Sequence, residues 1–374
     1  MGNDKINASQ LMKLLIFVMV GGTIFAESNL YVGSDIWLVY LIGTFAGCLM
    51  FGIYYRLSLL HGFSTFPQIF ERCLGFWGSK VLCFLYIIFL TMRTKGVGDT
   101  MTEMASDLLM VGAPMRLIMF VLLVAVVYIV IKGLRSMATA SEIMFIVFLL
   151  CLVPFFSNSF FTGAFSISNL LPVFVESQAA FWQKVLETTM FPYTDTFLLF
   201  LYFHNVQWKQ REMIPHRVVL GIVISTLLLT GIAITNVAVL GKTVVSSIKY
   251  PFYNTMMLAG IRGVLERLDP LAVIIIIICQ VFKGSLYYHA IVSLTHTLIP
   301  WISRHAINIA IAILFFTLGP GGLTHSPLST FMNTYLIPIF QVGIPMAVWG
   351  ISEFQRYTHR KKSNRSPDTP LEST

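Results

Sequence analysis

The groups best placed to do chemistry in this chain are polar side chains stranded in apolar surroundings. Asp195 closes the run Phe191-Pro192-Tyr193-Thr194-Asp195, inside a stretch that otherwise reads as a membrane span. A carboxylate at that depth is costly, and it serves either to receive a ligand's ammonium group or to pair with a basic residue on another helix. The proline removes a helical donor and crowds the preceding turn, so main-chain groups lose their partners. Gly21-Gly22-Thr23 lies about midway through the first apolar run and could form a matching interruption. Amides freed there, with the Thr23 hydroxyl, would suit the carboxylate and amine of a small ligand. Phe191 and Tyr193 would wall such a pocket, and Pro192 would hold the helix open. Two plainer readings stand beside these: a glycine pair can be a close-packing surface, and a proline can be only a kink.

Further charges fall within apolar runs. Arg93 lies well inside its helix, and Lys283 follows Ile274–Ile278, with Tyr287 one turn beyond. A buried Lys283 could take the place of a bound sodium ion or exchange protons; near the interface it would merely snorkel. Asp99, Glu103 and Asp107 recur every fourth residue and line either an outer vestibule or a helix end in water. Glu266, Arg267 and Asp269 cluster at the outer mouth of a later helix, where gating or subunit contact fits better than ligand capture. The five cysteines are scattered without metal or redox spacing, and the eight histidines form no HExxH-type cluster. Neither a metal nor a cofactor is expected, and the chain reads as a non-enzyme.

Long helices must position these groups. Of 374 residues, 56% are hydrophobic and only 11% charged, too little charge to cover a soluble domain of this length. The apolar residues fall in blocks of about 20, the length that crosses a bilayer as a helix. Helices are expected at 8–27, 35–60, 78–110, 115–132, 138–157, 181–204, 214–240, 270–297, 301–319 and 330–355. The run 11–26 has the look of a signal peptide, but the many later spans make it a first transmembrane helix. Asp269-Pro270 would cap the eighth span. Residues 1–355 form one transmembrane domain, and 356–374 a short basic, disordered tail. The formal charge of +8 points to a lipid surface rather than nucleic acid. Basic residues concentrate on the side that holds both termini, which places the termini in the cytoplasm; the loop 241–269 runs against that trend. Interruptions in the first and sixth of ten spans are the mark of an inverted-repeat transporter with its site at the midplane.

Several short runs carry a resemblance. Ile6-Asn7-Ala8-Ser9-Gln10 precedes the first helix, Gly33-Ser34-Asp35-Ile36-Trp37 opens the second, and Asn169-Leu170-Leu171-Pro172-Val173 precedes the sixth. Phe191–Asp195 lies within the sixth; Tyr250-Pro251 and Leu265-Glu266-Arg267-Leu268-Asp269 precede the eighth. In order and spacing these resemble the B subunit of the spore germinant receptors, the GerAB-type family of endospore-forming bacteria. That family is similar to transporters of the amino acid–polyamine–organocation superfamily. The resemblance implies an all-α membrane fold of about ten helices, a five-plus-five inverted repeat of the LeuT or amino acid permease type. It implies a nutrient sensor in the spore inner membrane, binding an amino acid and working with a larger A subunit and a C lipoprotein. Two departures stand out. Thr194-Asp195 replaces the family's glycine and glutamate, and Thr139 stands where the family favours arginine. Three functions remain open at this point: a sensing subunit, a proton- or sodium-coupled amino acid transporter, and a structural assembly subunit.

Overall fold

A computed structural model describes residues 4–30, 35–161, 163–172, 177–258, 268–322 and 326–363. The first half comprises α1 (Ala8–Leu30), α2 (Ile36–Leu60), α3 (Phe66–Leu108), α4 (Met115–Lys132) and α5 (Leu134–Phe161). The second comprises α6 (Gln178–Met190), α7 (Thr196–Phe200), α8 (Ile214–Leu240), α9 (Lys242–Ser247), α10 (Pro251–Leu258), α11 (Asp269–Leu298), α12 (Arg304–Leu318), α13 (Pro327–Phe331) and α14 (Ile344–Ser363). Among the described residues, seven helices are long and apolar enough to cross a membrane, and Ala8–Ile24 and Arg304–Leu318 are shorter apolar helices.

The innermost element is α11. Of its most apolar window 72% is buried, against 22% for α4, and so α11 forms the hub while α4 faces outward. α1, α3, α4, α5 and α10 pack around it. Leu117, Phe120, Val121, Val124 and Tyr128 on α4 remain exposed, as expected of a surface that meets lipid chains. α3 starts earlier than its apolar run suggests. Thr65 and Gln68 form a capping box that nucleates a first turn at Phe66, and Gly75, at φ +76°, redirects the chain into the long span.

The expected interruption of the first span is not present: α1 runs unbroken through Gly21, Gly22 and Thr23. The cause is packing. A Cβ on Gly21 would lie 2.4 Å from the Cys279 Cβ, and one on Gly22 would lie 2.6 Å from the Lys283 Nζ. The glycines therefore let α1 approach α11 without unwinding, and the Thr23 hydroxyl donates to the Met19 carbonyl of its own helix at 2.7 Å. The sixth span behaves differently. α6 stops at Met190, Phe191 is extended (φ −157°, ψ 116°), and a 3-10 turn over Tyr193–Asp195 leads into the five-residue α7. Between α13 and α14 the chain passes through two π-helical stretches, Met332–Leu336 and Pro338–Gly343. Pro338 cannot donate to the preceding turn, and widening of the coil accompanies it.

At the end that holds the chain's start, Ile6 pairs in parallel with Val206 through Ile6 N–H to Asn205 O (3.0 Å) and Gln207 N–H to Ile6 O (3.1 Å). Gln210 then accepts from the Ala8 amide at 2.9 Å, serving one of the donors that the first turn of α1 leaves unpaired. α14 continues to Ser363, eight residues into the segment expected to be disordered; residues 364–374 lie outside the described ones.

Candidate functional site

The α6–α7 break is held by aromatic packing. Phe197 stacks on Tyr86 of α3 at 5.5 Å, and Phe200 stacks on Tyr54 of α2 at 5.7 Å. Each such pair contributes about 0.5–1.5 kcal/mol beyond its buried area. The two tyrosines in turn donate to carbonyls in the second π stretch, Tyr86 to Phe340 at 2.7 Å and Tyr54 to Gln341 at 2.5 Å. A short helix with few internal bonds is thereby fixed from three sides.

Asp195, fully buried, lies at the end of the 3-10 turn and collects four donors. Lys283 Nζ donates to Oδ2 at 2.5 Å, while Arg93 Nη2 and the Tyr287 hydroxyl each donate to Oδ1 at 2.8 Å. Gln341 Nε2 approaches Oδ1 at 3.4 Å, and Gln341 Oε1 accepts from the Thr194 hydroxyl at 2.6 Å. Phe191 lies beneath both cations, its ring 4.6 Å from Lys283 Nζ and 5.7 Å from the Arg93 guanidinium carbon. Gly22 completes the enclosure, because a Cβ there would sit 2.7 Å from Phe191 Cζ. Of the two roles open to Asp195, the structure contains the ion pair. Lys283 is 1% exposed, so of its two possible positions it occupies the buried one.

One carboxylate thus faces two cationic side chains where water is largely excluded. An uncompensated buried charge is expensive. In addition, Arg93 Nε is buried with no hydrogen-bond partner among the described residues. The centre therefore has capacity for one more anionic, hydrogen-bond-accepting group.

Other expected residues go elsewhere. Tyr193 turns away from Asp195. Its ring lies in the groove of α2, where Cβ atoms on Gly43 and Gly47 would come within 2.4 and 2.8 Å of it. Its hydroxyl donates to the Tyr40 carbonyl at 2.8 Å and contacts the Thr226 and Thr44 hydroxyls at 2.9 and 3.2 Å. Tyr193 therefore clamps the break to α2 and α8 instead of lining the charged centre. Pro192 occupies the break itself, and Thr23 and Gly21 face packing contacts. Glu266 and Arg267 lie outside the described residues. Asp269 does not cap α11; it is the first helical residue, and its Oδ2 accepts from Tyr253 of α10 at 3.1 Å.

The acids at the far end of α3 all have basic partners. Lys249 bridges Glu103 (2.7 Å) and Asp107 (2.8 Å), and Asp99 pairs with Lys95 one turn earlier on the same helix. Gln341 is missing from the sequence reading, although a lone glutamine three residues after a proline in an apolar run is a usable signal, and Thr194 enters it only as a departure from the family's glycine.

A family model described as spore germination protein matches residues 5–319. Spore germination protein KB of Bacillus subtilis (strain 168) is 24% identical over 369 residues, covering 96% of this chain and 98% of that relative. Among solved structures, the crystal structure of MhsT in complex with L-phenylalanine matches with a TM-score of 0.63 at 14% identity, over 92% of this chain and 87% of that one. At that identity the likeness speaks for the fold alone.

Proposed function

The chain belongs to the spore germination protein family, and from that membership we propose that it binds an amino acid at the Asp195 centre and moves it across the membrane. It is an all-α membrane protein with a transporter-type fold, related to the amino acid–polyamine–organocation superfamily, in a family without a catalytic role. The observation that carries the proposal is the charge count at the centre: a single carboxylate, Asp195, lies between Arg93 and Lys283. The nutrient's carboxylate pairs with Lys283 and Arg93 and reaches Arg93 Nε, which has no partner among the described residues, while its ammonium pairs with Asp195; Phe191 and Gly22 bound the site and Tyr287 adjoins it. MhsT, which shares the fold, holds an amino acid, and this favours the same ligand class here.

On this reading, ten spans form a five-plus-five inverted repeat in which only the second half's break, at 191–195, is retained. Both termini face the cytoplasm. Residues 1–355 make the membrane domain. The buried ammonium of Lys283 takes the place of a bound sodium ion, so on this reading protons are the partner ion.

A second reading is favoured by the relative's identity as a germination protein. Here the same centre senses the nutrient in the spore inner membrane and passes the change to an A subunit and a C lipoprotein. The test is uptake of radiolabelled amino acids by the purified chain in proteoliposomes. Uptake that Asp195→Asn abolishes supports transport. Ligand binding without uptake, with germination lost on deletion, supports sensing. Failure of all twenty amino acids to bind would leave a structural subunit.

A further inference from the structure

A second centre lies on the other flank of α3, towards the end of the molecule opposite the Ile6–Val206 bridge. There Lys95 and Asp99 form an ion pair, both nearly buried, and the Gly319–Gly322 connection after α12 closes over it. The main chain of Gly321 engages both partners: its N–H donates to Asp99 Oδ1 at 3.1 Å and its carbonyl accepts from Lys95 Nζ at 3.1 Å. Two cavities meet at this pair and share Asp99 and Thr102 in their walls. The outer one, about 360 Å³, is bounded by Glu103, Gly321, Gly322 and Ser326. The inner one, about 60 Å³, is lined by Lys95 and then by Met119, Leu122, Tyr288 and Phe315. Gly98 borders it too, and a Cβ there would meet nothing within 4 Å.

We propose that this is a second amino-acid site, selective for zwitterions with an apolar side chain. Each pole of such a ligand finds a charged side chain together with a main-chain dipole. The carboxylate takes Lys95 and the Gly321 N–H; the ammonium takes Asp99 and the Gly321 carbonyl. The ligand replaces the internal pair group for group, leaving no buried charge uncompensated. Its side chain enters the apolar inner cavity, widening it against Met119 and Leu122. This site is separate from the Asp195 centre and does not depend on the reading given to that centre.

The experiment is equilibrium binding of tritiated L-leucine to the full chain in phosphatidylcholine nanodiscs. Wild type is expected to bind at two sites per chain. Gly98→Val, whose added carbons enter open space, and Lys95→Met are each expected to weaken one site at least ten-fold and leave the other. Asp195→Asn removes the other one. N-acetyl-L-leucine and L-leucinamide, each lacking one charged pole, are expected to displace label from the Lys95 site at least ten-fold less well than leucine. Unchanged binding in both Gly98→Val and Lys95→Met overturns the proposal, as does equal displacement by either analogue or absence of leucine binding. Suppression of binding by phosphatidylethanolamine in the bilayer overturns it in favour of a lipid headgroup. A single site that survives Asp195→Asn and is lost in Lys95→Met upholds this site while refuting the central one.

Discussion

Gly21 and Gly22 are neighbours in sequence, yet their substitution has different consequences. A methyl on Gly21 meets the Cβ and, at 3.0 Å, the main chain of Cys279, neither of which can rotate away. Gly21→Ala is expected to push α1 from α11 and to cost about 1–3 kcal/mol, read as a lower Tm. A methyl on Gly22 meets the tips of Lys283 and Phe191 instead. Gly22→Ala should therefore keep most of its stability and raise the half-saturating nutrient concentration in uptake or germination assays. Tyr193→Phe removes a hydroxyl that joins Tyr40, Thr44 and Thr226, with an expected loss of about 1–2 kcal/mol in thermal or denaturant unfolding. The charged members of the centre were visible in the sequence, because Arg93, Asp195 and Lys283 each interrupt an apolar run. Their pairing was not, since Arg93 and Asp195 are 102 residues apart. The direction of Tyr193 was hidden for the same reason: Gly43 and Gly47 show a small-residue groove but not which ring fills it.

At the scale of elements, the two suspected breaks show where local sequence decides and where packing does. Pro192 removes a helical donor and crowds the preceding turn, and that span is interrupted beside it, whereas Pro154 is carried within the continuous α5. Gly21-Gly22 permits unwinding without requiring it, and the approach of α11 selects the continuous coil. The junction between α2 and α3 gives a pH prediction. His61 contacts Ser352 Oγ through Nε2 at 3.0 Å, and Arg72 donates to its carbonyl at 3.2 Å. Burial, with the Arg72 charge second, holds the His61 pKa below its ordinary 6.5. The fold thus favours the neutral ring, and this contribution is complete above pH 6.5 and lost as pH falls below that value. Thermal stability in detergent should decline from about pH 6.5 to 5, and His61→Gln should flatten that slope. Identical slopes in the two proteins would refute the assignment.

Across the whole molecule, hydropathy made most of the architecture readable, because lipid admits few alternatives to helices of fixed length. Helix partners were less readable, since apolar faces that meet lipid and faces that meet protein have similar composition. The placement of ends can be checked directly. With the native cysteines replaced, single cysteines at Lys5 and Thr358 should react with an impermeant maleimide from one side of the membrane, and one at Ser168 from the other. Labelling of Lys5 and Thr358 from opposite sides would exclude this arrangement. The Ile6–Val206 bridge has a practical corollary. It fastens the segment before α1 to the stretch that follows α7, so a displacement of the interrupted span would be passed to Lys5. A fluorophore attached at Lys5 would then report ligand binding at the Asp195 centre without touching it, giving a remote optical gauge of the working cycle.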